Sequence, residues 1–499
     1  MHDLLTHISD QLNDVFGSVT YFMPEVYLGL LFLVVMITDL LFGKRSTGLC
    51  RTVACAGLLF VLFKDLQQVG MTLGVQHFIF SNMLLLSHTG VWFKLFIDIP
   101  AFIILLYFTW DEKLNSHQKG LSDLYSIAIA SILGLHLMVM AVNLLSIYLA
   151  IEMVSIASYL MVAYRSENAF STEAGLKYVL FGAASSAIML YGISLLYGFS
   201  GSLDIVFQST ITELLKVNPL SSSFAIMLVL VGIGFKLSFV PVHFWVPDVY
   251  EGAPTPVTAY LSTLPKIAAF SLLVNFLAPV MVLGKKTGFD LGIILSIAGI
   301  ISMIAGNFAA VLQSNVKRML AYSSIGHTGF ALMAVVILNL QGLSALTYYL
   351  LVYALANIGA LALASYFSNV ADAEDLNGYK GLGLKYPIAS VCFTIILISL
   401  TGLPVSAGFT GKIFVFSAVY SVYQQSHSIW LMLLMATGAL TTVVSLFYYI
   451  KIPLNLFLKR SENQEIIYKK SYNLLILAVA VSFILILLGI FPDFVLKYL

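Results

Sequence analysis

The sequence predicts an all-α protein that crosses a membrane about fourteen times. Of its 499 residues, 60% are hydrophobic and only 10% are charged, and the mean hydropathy is +0.96. A soluble globular protein carries roughly 25% charged residues. Apolar stretches recur along the whole chain, and most are close to the roughly 20 residues that an α-helix needs to cross a bilayer.

The first predicted span begins at Pro24. The 23 residues before it contain neither lysine nor arginine, so they lack the basic region of a cleavable signal peptide. We number the spans 1 to 14 in chain order. They lie near 24–42, 49–63, 91–110, 121–140, 143–163, 174–198, 223–241, 255–278, 289–309, 316–338, 343–367, 388–420, 428–452 and 471–491.

The connections between these spans are too short for a soluble domain, so residues 1–499 are predicted to form a single integral membrane domain. Spans 1–3 occupy 24–120 and span 14 occupies 456–499. Between them lie two five-helix units, spans 4–8 at 121–285 and spans 9–13 at 286–455. Because five is odd, two such units in succession have opposite orientations in the membrane, and we expect them to be inverted repeats.

Lysine and arginine are unevenly distributed among the connections, which predicts the orientation of the chain. The odd-numbered connections hold sixteen, whereas the even-numbered connections and both tails hold five. By the positive-inside rule the odd connections face the cytoplasm, and both termini lie on the opposite side. The sixteen are Lys44, Arg45, Arg51, Lys113, Lys119, Arg165, Lys177, Lys317, Arg318, Lys380, Lys385, Lys451, Lys459, Arg460, Lys469 and Lys470.

Several functional classes are excluded by what the sequence does not contain. There is no P-loop and no GxGxxG fingerprint, and the net charge of +1 without a basic patch argues against a nucleic-acid partner. The three cysteines, Cys50, Cys55 and Cys392, are too few for an iron–sulfur cluster held by this chain alone. We therefore expect no cofactor and no metal in this chain. Its energy source is predicted to be an ion gradient or partner subunits.

Four ionisable residues lie inside the apolar spans: Glu152, Lys236, Lys266 and Lys412. Placing such a group at the centre of a membrane helix costs roughly 2.5–3.5 kcal/mol on insertion scales, and these groups usually line ion or proton paths. Ion translocation is therefore the leading hypothesis. A structural alternative stays open for two of the lysines: Lys236 in a static ion pair with Glu152, and Lys412 bonded to freed carbonyls. Lys266 has no obvious partner in the sequence, so a structural role is harder to give it.

Two of the predicted spans contain helix-breaking residues next to a lysine. Span 7 ends in GIGFKLSFVPVHFW, and the middle of span 12 reads TGLPVSAGFTGK. Proline and glycine inside a bilayer are tolerated where protein or water satisfies the freed backbone groups. Paired broken helices in the two halves of a transporter mark the ion path.

Four more residues are candidates with a structural alternative of similar weight. His327, in span 10, is either a relay between Lys266 and Lys412 or a satisfied core histidine. His243, Asp248 and Glu251 follow span 7, where they either form a proton access point or satisfy the proline-rich loop.

Other charged residues are interpreted as structural. Lys94 and Asp98 are four apart on span 3, which predicts a local ion pair near the membrane edge. His136 in span 4 is expected to be structural. Lys317 and Arg318 are expected to be solvated residues that set topology.

Four segments, in order, resemble one family over essentially the whole chain. They are EAGLKYVLFGAASSAIMLYGISLLYG (173–198), HFWVPDVYEGAPTPVTAYLS (243–262), NVKRMLAYSSIGHTGF (315–330) and SLTGLPVSAGFTGKIFVF (399–416). All are similar to the antiporter-like membrane subunits of respiratory complex I, the NADH:quinone oxidoreductase. The resemblance implies fourteen helices with two inverted five-helix repeats, in a bacterial inner membrane.

The resemblance also implies roles for the buried residues. Glu152 and Lys236 match the family's glutamate–lysine pair, whose separation is thought to set the proton affinity of the lysine. Lys266 matches the lysine read as a relay in the middle of the membrane, and Lys412 matches the terminal proton donor or acceptor. Lysine at this last position, where a sister subunit carries glutamate, fits a place between the quinone-site end and the distal pumping subunits.

The implied partners are the lipid bilayer and the other membrane-arm subunits. FMN, iron–sulfur clusters, NADH and quinone belong to other subunits of the implied complex. Two further functions compete with a proton-translocating subunit of this oxidoreductase. One is a subunit of an Mrp-type multisubunit sodium/proton antiporter, and the other is a structural membrane subunit whose buried charges are relics.

Overall fold

The computed structural model describes residues 2–43, 46–117, 120–206, 208–287, 290–459 and 471–498, with the side chains of 2–11, 208 and 282–287 left out. The described chain is almost entirely helical, with one short hairpin. Its helices are α1 (His2–Tyr21), α2 (Met23–Phe42), α3 (Ser46–Met71), α4 (His88–Tyr107), α5 (Glu112–Asn115), α6 (Ser122–Met140), α7 (Leu144–Val162), α8 (Ala169–Ser200), α9 (Gln208–Lys216), α10 (Pro219–Leu237), α11 (Trp245–Gly252), α12 (Thr255–Thr287), α13 (Leu291–Val311), α14 (Val316–Ile337), α15 (Leu340–Ala371), α16 (Leu382–Lys385), α17 (Pro387–Thr401), α18 (Ala407–Ser426), α19 (Ile429–Tyr449), α20 (Lys451–Pro453), α21 (Tyr472–Ile490) and α22 (Asp493–Leu496).

A π-helical turn, Leu454–Leu458, follows α20. The hairpin lies between α3 and α4 and pairs β1 (His77–Ile79) with β2 (Leu84–Leu86) in antiparallel register.

The predicted polytopic membrane fold is confirmed. Thirteen helices of the described chain are long and apolar enough to cross a membrane, and they correspond to predicted spans 1–11, 13 and 14. Span 12 is the shorter apolar helix α17 followed by α18. Helix α1 was not predicted, because its polar sequence does not resemble a membrane span.

Polar side chains cap the starts of many of these helices. Asn143, Asn168, Asp290, Asn315 and Asn339 each accept a hydrogen bond from a backbone N–H in the first turn of the helix that follows. The first four N–H groups of a helix have no partner within the helix, so an oxygen at this position satisfies one of them. The apolar runs therefore begin where the sequence supplies a short polar side chain.

The core is centred on α15, which is buried along nearly its whole length. Tyr107 ties α4 to it, donating to the carbonyl of Leu361 at 2.9 Å and lying 2.6 Å from the hydroxyl of Ser365. Helix α15 therefore has neighbours on all sides, and the site helices α12, α14 and α18 pack directly against it.

The two predicted helix breaks are confirmed. Helix α10 ends at Leu237, and Ser238 has a left-handed conformation with a φ of 60° before α11 begins. Helix α17 ends at Thr401, and Gly402 has a φ of 83° before α18 begins. Each break lies near a lysine that the sequence predicts to be functional: Lys236 is two residues before Ser238, and Lys412 is ten residues after Gly402.

Some predictions fall on residues outside the described chain. These are the topology residues Lys44, Arg45, Lys119, Arg460, Lys469 and Lys470. The orientation of the termini and the inverted repeat stay predictions.

Close packing of α13 on α14 depends on glycine. A Cβ atom placed on Gly306 would lie 2.5 Å from the backbone nitrogen of Gly326 and 2.7 Å from the carbonyl oxygen of Tyr322. Both neighbours are backbone atoms of α14, which cannot give way without moving the helix. Small residues at such contacts allow membrane helices to approach closely.

We expect Gly306→Ala to lower the thermal unfolding temperature of the full-length chain in detergent, because overpacking a tight contact costs about 1–3 kcal/mol. Gly198→Ala on α8 is the matched control, since no atom lies within 4 Å of its Cβ position. The control is expected to be neutral or slightly stabilising. Equal unfolding temperatures for the two variants would contradict the packing argument.

Candidate functional site

Lys236 lies at the end of α10 with its side chain almost fully buried. Its ammonium group lies 5.9 Å from the ring centre of Tyr159 and 5.8 Å from that of Tyr178. No hydrogen-bond partner for this nitrogen is found among the described residues. The charge of Lys236 is thus offset by aromatic faces rather than by direct hydrogen bonds.

Glu152 on α7 lies close enough for its charge to act on Lys236. The two form no ion pair within 4 Å in the described chain, and the oxygen Oε1 of Glu152 is buried without a partner. Tyr159, two helical turns after Glu152, presents its ring to Lys236. The predicted pair therefore forms no direct ion pair in the described chain, and the ring of Tyr159 lies beside Lys236.

Lys266 on α12 is buried against α14. Its ammonium donates to the hydroxyl of Ser324 at 2.6 Å, to the carbonyl of Ser324 at 3.0 Å and to the hydroxyl of Thr328 at 2.9 Å. Ser324 and Thr328 are four residues apart and share one face of α14. All three acceptors of this ammonium are neutral oxygens.

Thr328 connects Lys266 to the break in α10. Its hydroxyl lies 2.9 Å from the carbonyl oxygen of Leu237 and 3.0 Å from that of Ser324, and it donates its one proton to either of them. Leu237 directly follows Lys236 in the chain. One hydroxyl thus bridges Lys266 and the end of the helix that carries Lys236.

A group of tyrosines on α15 and α19 continues from Lys266 around His327 of α14. The hydroxyl of Tyr353 donates to Ser324 at 2.7 Å, and its ring lies 4.9 Å from the ring of His327. The two nitrogens of His327 lie 2.7 Å from the hydroxyl of Tyr349 and 3.2 Å from that of Tyr449. His327 is therefore bonded on both sides by hydroxyl groups, which donate or accept according to the tautomer.

Lys412 on α18 lies at the second break. It donates to the carbonyl of Thr401 at 2.8 Å and to the hydroxyl of Thr442 at 3.3 Å, and it lies 5.5 Å from the ring centre of Phe330. A small cavity of about 10 Å³ is lined by both Lys412 and His327. Such a volume is near the lower limit for one water molecule.

The predicted access residues Asp248 and Glu251 lie on α11 in a network of charges. Arg318 donates to both carboxylates at 2.7 Å, and Lys177 donates to Asp248 at 2.7 Å. Burial alone would raise the pKa of Asp248, but the hydrogen bonds from Lys177 and Arg318 hold it below its ordinary value. Asp248 is therefore ionised at neutral pH.

Two adjacent cavities open beside this network. One, of about 130 Å³, is lined by Asp248, Lys177 and Arg318, and the other, of about 400 Å³, is lined by polar residues that include Lys317 and Glu374. Glu251 lines both of them. These volumes hold several water molecules.

His243 lies apart from these two acids. It is in the turn between α10 and α11, and its Nδ1 atom is buried with no hydrogen-bond partner among the described residues. Burial lowers the pKa of His243, so the ring is neutral at pH 7.

Two structural interpretations of the sequence are wrong. Lys317 and Arg318 are not simply solvated, since Lys317 donates to the carbonyl of Ala253 at 2.8 Å and Arg318 holds the acids of α11.

The predicted pair of Lys94 with Asp98 is also wrong. Lys94 contacts Glu25 and Asp65 at 2.7 Å, while Asp98 lies 3.0 Å from His136. All five side chains are buried inside the protein. Spacing of four residues on one helix cannot reveal acids that arrive from other helices.

Sequence reasoning missed the hydroxyl groups that bond the lysines. Ser324 and Thr328 flank His327 in the segment SSIGHTGF, and their spacing of four was the available signal. Tyr353, Tyr349 and Tyr449 gave no signal, because aromatic residues are common in membrane proteins.

The chain is similar to known membrane proteins over most of its length. Residues 141–444 match the family model described as "NADH:quinone oxidoreductase/Mrp antiporter, TM". A relative in Chloroherpeton thalassium, "NADH-quinone oxidoreductase subunit N 2", is 40% identical over 94% of this chain and 91% of its own.

Solved structures show the same fold. A chain of respiratory complex I from Thermus thermophilus is 28% identical, with a TM-score of 0.77 over 95% of this chain and 98% of that one. A chain of the Mrp complex from Dietzia sp. has a TM-score of 0.80 over 95% of both chains, and at 18% identity this shows the fold alone.

We expect Thr328→Val to lower the thermal unfolding temperature of the full-length chain, because one ammonium proton of Lys266 loses its acceptor and the carbonyl of Leu237 keeps only the hydroxyl of Ser238 as a donor. An unsatisfied buried group costs about 1–3 kcal/mol. Thr441→Val is the control: it removes an equally buried hydroxyl that donates only within its own helix, to Thr437 at 2.8 Å. If the two variants unfold at the same temperature, the bridge through Thr328 does not stabilise the protein.

Proposed function

The chain belongs to the NADH:quinone oxidoreductase/Mrp antiporter family of membrane proteins, and within it to the subunit N proteins of NADH-quinone oxidoreductase, and on this basis we propose that it moves protons across the membrane for that complex. Electron transfer from NADH to quinone takes place in other subunits. FMN, iron–sulfur clusters, NADH and quinone are bound there, and this chain contributes the proton path.

One observation carries the proposal. Lys266 and Lys412 are buried lysines whose hydrogen-bond acceptors in the described chain are neutral oxygens, and Lys236 has no hydrogen-bond partner there. A buried ammonium without a carboxylate partner gains little from staying charged, because desolvation disfavours the charged form. Such lysines release and take up protons readily, which a static packing role does not need.

Glu152 is the switch in this path. When it is ionised and near Lys236, it favours the ammonium form of the lysine, since an opposite charge nearby offsets desolvation. Movement or protonation of Glu152 removes that support, and Lys236 then passes its proton towards Lys266. The separation of the two groups in the structure leaves room for closer approach and for further separation.

From Lys266 the proton continues past His327 to Lys412. The hydroxyls of Ser324 and Tyr353 lead from the first lysine towards the histidine ring, and the small cavity lies between His327 and Lys412. Hydroxyl groups both donate and accept, so each can pass a proton without holding a charge.

Protons reach the path from the wet cavities beside α11. Asp248 and Glu251 attract them electrostatically, and Arg318 and Lys177 hold the two carboxylates in place. His243 lies in the turn that joins this region to Lys236 and is the closest candidate along the chain for the first transfer.

The proposed setting is a bacterial inner membrane, with both termini on the non-cytoplasmic side and the other membrane-arm subunits as neighbours. Spans 4–8 and 9–13 are proposed to be inverted repeats, which would make the breaks after Lys236 and before Lys412 equivalent. The second candidate function, an Mrp-type sodium/proton antiporter subunit, is favoured only by the fold. A sodium requirement of proton movement, or genes for an antiporter beside this one, would support it instead.

We expect Lys412→Ala to abolish NADH-driven proton uptake into inverted membrane vesicles and to slow NADH oxidation at least several-fold, because the path would lose its terminal group. Lys385→Ala is the control, since it removes an exposed lysine that lies outside the spans. Normal proton uptake and NADH oxidation in an assembled complex would mean that Lys412 only stabilises the helix break.

Lys236→Arg separates a proton carrier from a static ion pair. Arginine keeps the positive charge opposite Glu152 but does not give up its proton in practice. We expect this variant to assemble and to lose proton uptake as completely as Lys236→Ala. Proton uptake retained by the arginine variant and lost only in the alanine variant would identify Lys236 as a static partner of Glu152.

A further inference from the structure

A second group of ionisable side chains is buried in α2, α3, α4 and α6, and the proton path described above does not use it. It consists of Glu25, Asp65, Lys94, Asp98 and His136, none of which is more than 1% exposed. We call these five residues the N-terminal charge cluster. Gln68 is the neutral side chain bonded to it.

Lys94 is charged in this cluster. Its ammonium lies 2.7 Å from an oxygen of Glu25, of Asp65 and of Gln68. An ammonium group has three protons to donate, and three acceptors surround it. Lys94 therefore differs from the lysines of the proton path, since two of its partners are carboxylates.

His136 lies between two carboxyl groups. Its Nδ1 atom is 3.2 Å from an oxygen of Glu25, and its Nε2 atom is 3.0 Å from an oxygen of Asp98. A neutral imidazole has one donor nitrogen and one acceptor nitrogen, and an ionised carboxylate only accepts. With a neutral ring and two ionised carboxylates, one contact would place two lone pairs against each other.

The contacts of His136 therefore require one extra proton. It lies on the ring, which becomes an imidazolium that donates to both acids, or on one of the two carboxyl groups, which then donates to the ring. The number of added protons is one in either form. One proton is shared along the line from Glu25 through His136 to Asp98.

The charge of the cluster supports this conclusion. Three carboxylates outweigh Lys94 by two charges, and the shared proton reduces the excess to one. Charged groups buried in low dielectric are stable only when they are paired and hydrogen-bonded. One oxygen each of Glu25, Asp65 and Asp98 has neither a hydrogen-bond partner nor an ion pair in the described chain, and the other oxygen of Asp65 is in contact with Lys94, so the negative charge is not otherwise dispersed.

A metal ion fits this arrangement less well than a proton. Glu25, Asp65 and His136 offer ligand atoms within 4.8 Å of one another, a spacing that a metal ion could use. The ammonium of Lys94, however, contacts both of these carboxylates at 2.7 Å and fills the position between them. Helices α12 and α15 pack against α4, and in the described chain they add no ion pair to the cluster.

We propose that the N-terminal charge cluster is a proton-binding site inside the membrane, in which Glu25, His136 and Asp98 share one exchangeable proton. When that proton is lost, one ring nitrogen of His136 and one carboxylate oxygen face each other with only lone pairs between them, so this contact must open. Protonation of the cluster is thereby linked to the packing of α2 and α4 against α6. This inference stands independently of the proposed function, because it follows from hydrogen-bond donors and acceptors alone.

The test is infrared difference spectroscopy of the full-length chain in lipid vesicles, titrated with acid and base in H₂O and in D₂O. The wild-type protein is expected to show one proton-dependent signal from an imidazolium or a buried carboxylic acid, which shifts in D₂O. This signal should be lost in Asp98→Asn and in His136→Gln, each of which breaks the shared contact.

Asp111→Asn is the matched control. Asp111 is also buried, but it accepts from the hydroxyl of Ser365 at 2.6 Å and from the backbone of Leu114 at 2.8 Å, so it needs no added proton. We expect the signal to persist in this variant. A wild-type signal that survives in both Asp98→Asn and His136→Gln would overturn the proposal.

The wild-type protein alone tests the proposal if the variants do not fold. With its histidines labelled, either an imidazolium or a buried carboxylic acid must be present at neutral pH, and the absence of both would refute the shared proton. The titration is repeated with choline in place of sodium. An unchanged signal is expected, whereas a signal displaced by sodium would make the cluster a sodium site.

Discussion

The carbonyl groups that are freed at the two helix breaks must each find a hydrogen-bond donor, and the rest of the site depends on this constraint. In a bilayer an unpaired carbonyl costs several kcal/mol, so a helix can end at this depth only where protein or water supplies a donor. Leu237, at the end of α10, has the hydroxyl of Thr328 within reach, and Thr401, at the end of α17, receives the ammonium of Lys412. Lys412 is thus a member of the proposed proton path, and Thr328 is bonded to Lys266 of that path.

Because the same groups satisfy the helix breaks and bond the lysines, Lys266 and Lys412 have neutral partners. A carbonyl or hydroxyl oxygen accepts from an ammonium and also from a neutral amine, so it remains satisfied whether or not the lysine carries its extra proton. A carboxylate in the same position would hold the proton and would be left as a buried, unpaired charge once the proton departed. Lys266 and Lys412 can therefore change their charge while the helices around them keep their hydrogen bonds.

The long apolar spans were predictable from sequence because of their composition. Both breaks, Glu152 and the three buried lysines were also predictable, because each is a charge, a proline or a glycine within an apolar run. The partners were not predictable. Thr328 and Leu237 are 91 residues apart, and Lys266 and Ser324 are 58 apart, so only the tertiary packing of α10, α12 and α14 brings them together. The error at Lys94 has the same origin, since its carboxylate partners come from α2 and α3 rather than from its own helix.

The chain thus buries lysine in two different ways, and the comparison separates a fixed charge from a mobile one. The ammonium of Lys94 lies 2.7 Å from two carboxylates and from one amide oxygen, so two of its three neighbours are charged. Removal of one of its protons would leave two carboxylates facing each other across a neutral amine, which is strongly unfavourable in low dielectric. Exchange in that cluster must therefore involve His136 and the acids beside it. Lys266 has neutral partners and faces no such penalty. Whether a buried lysine of this protein can release its proton therefore depends on the charge of its acceptors rather than on its depth.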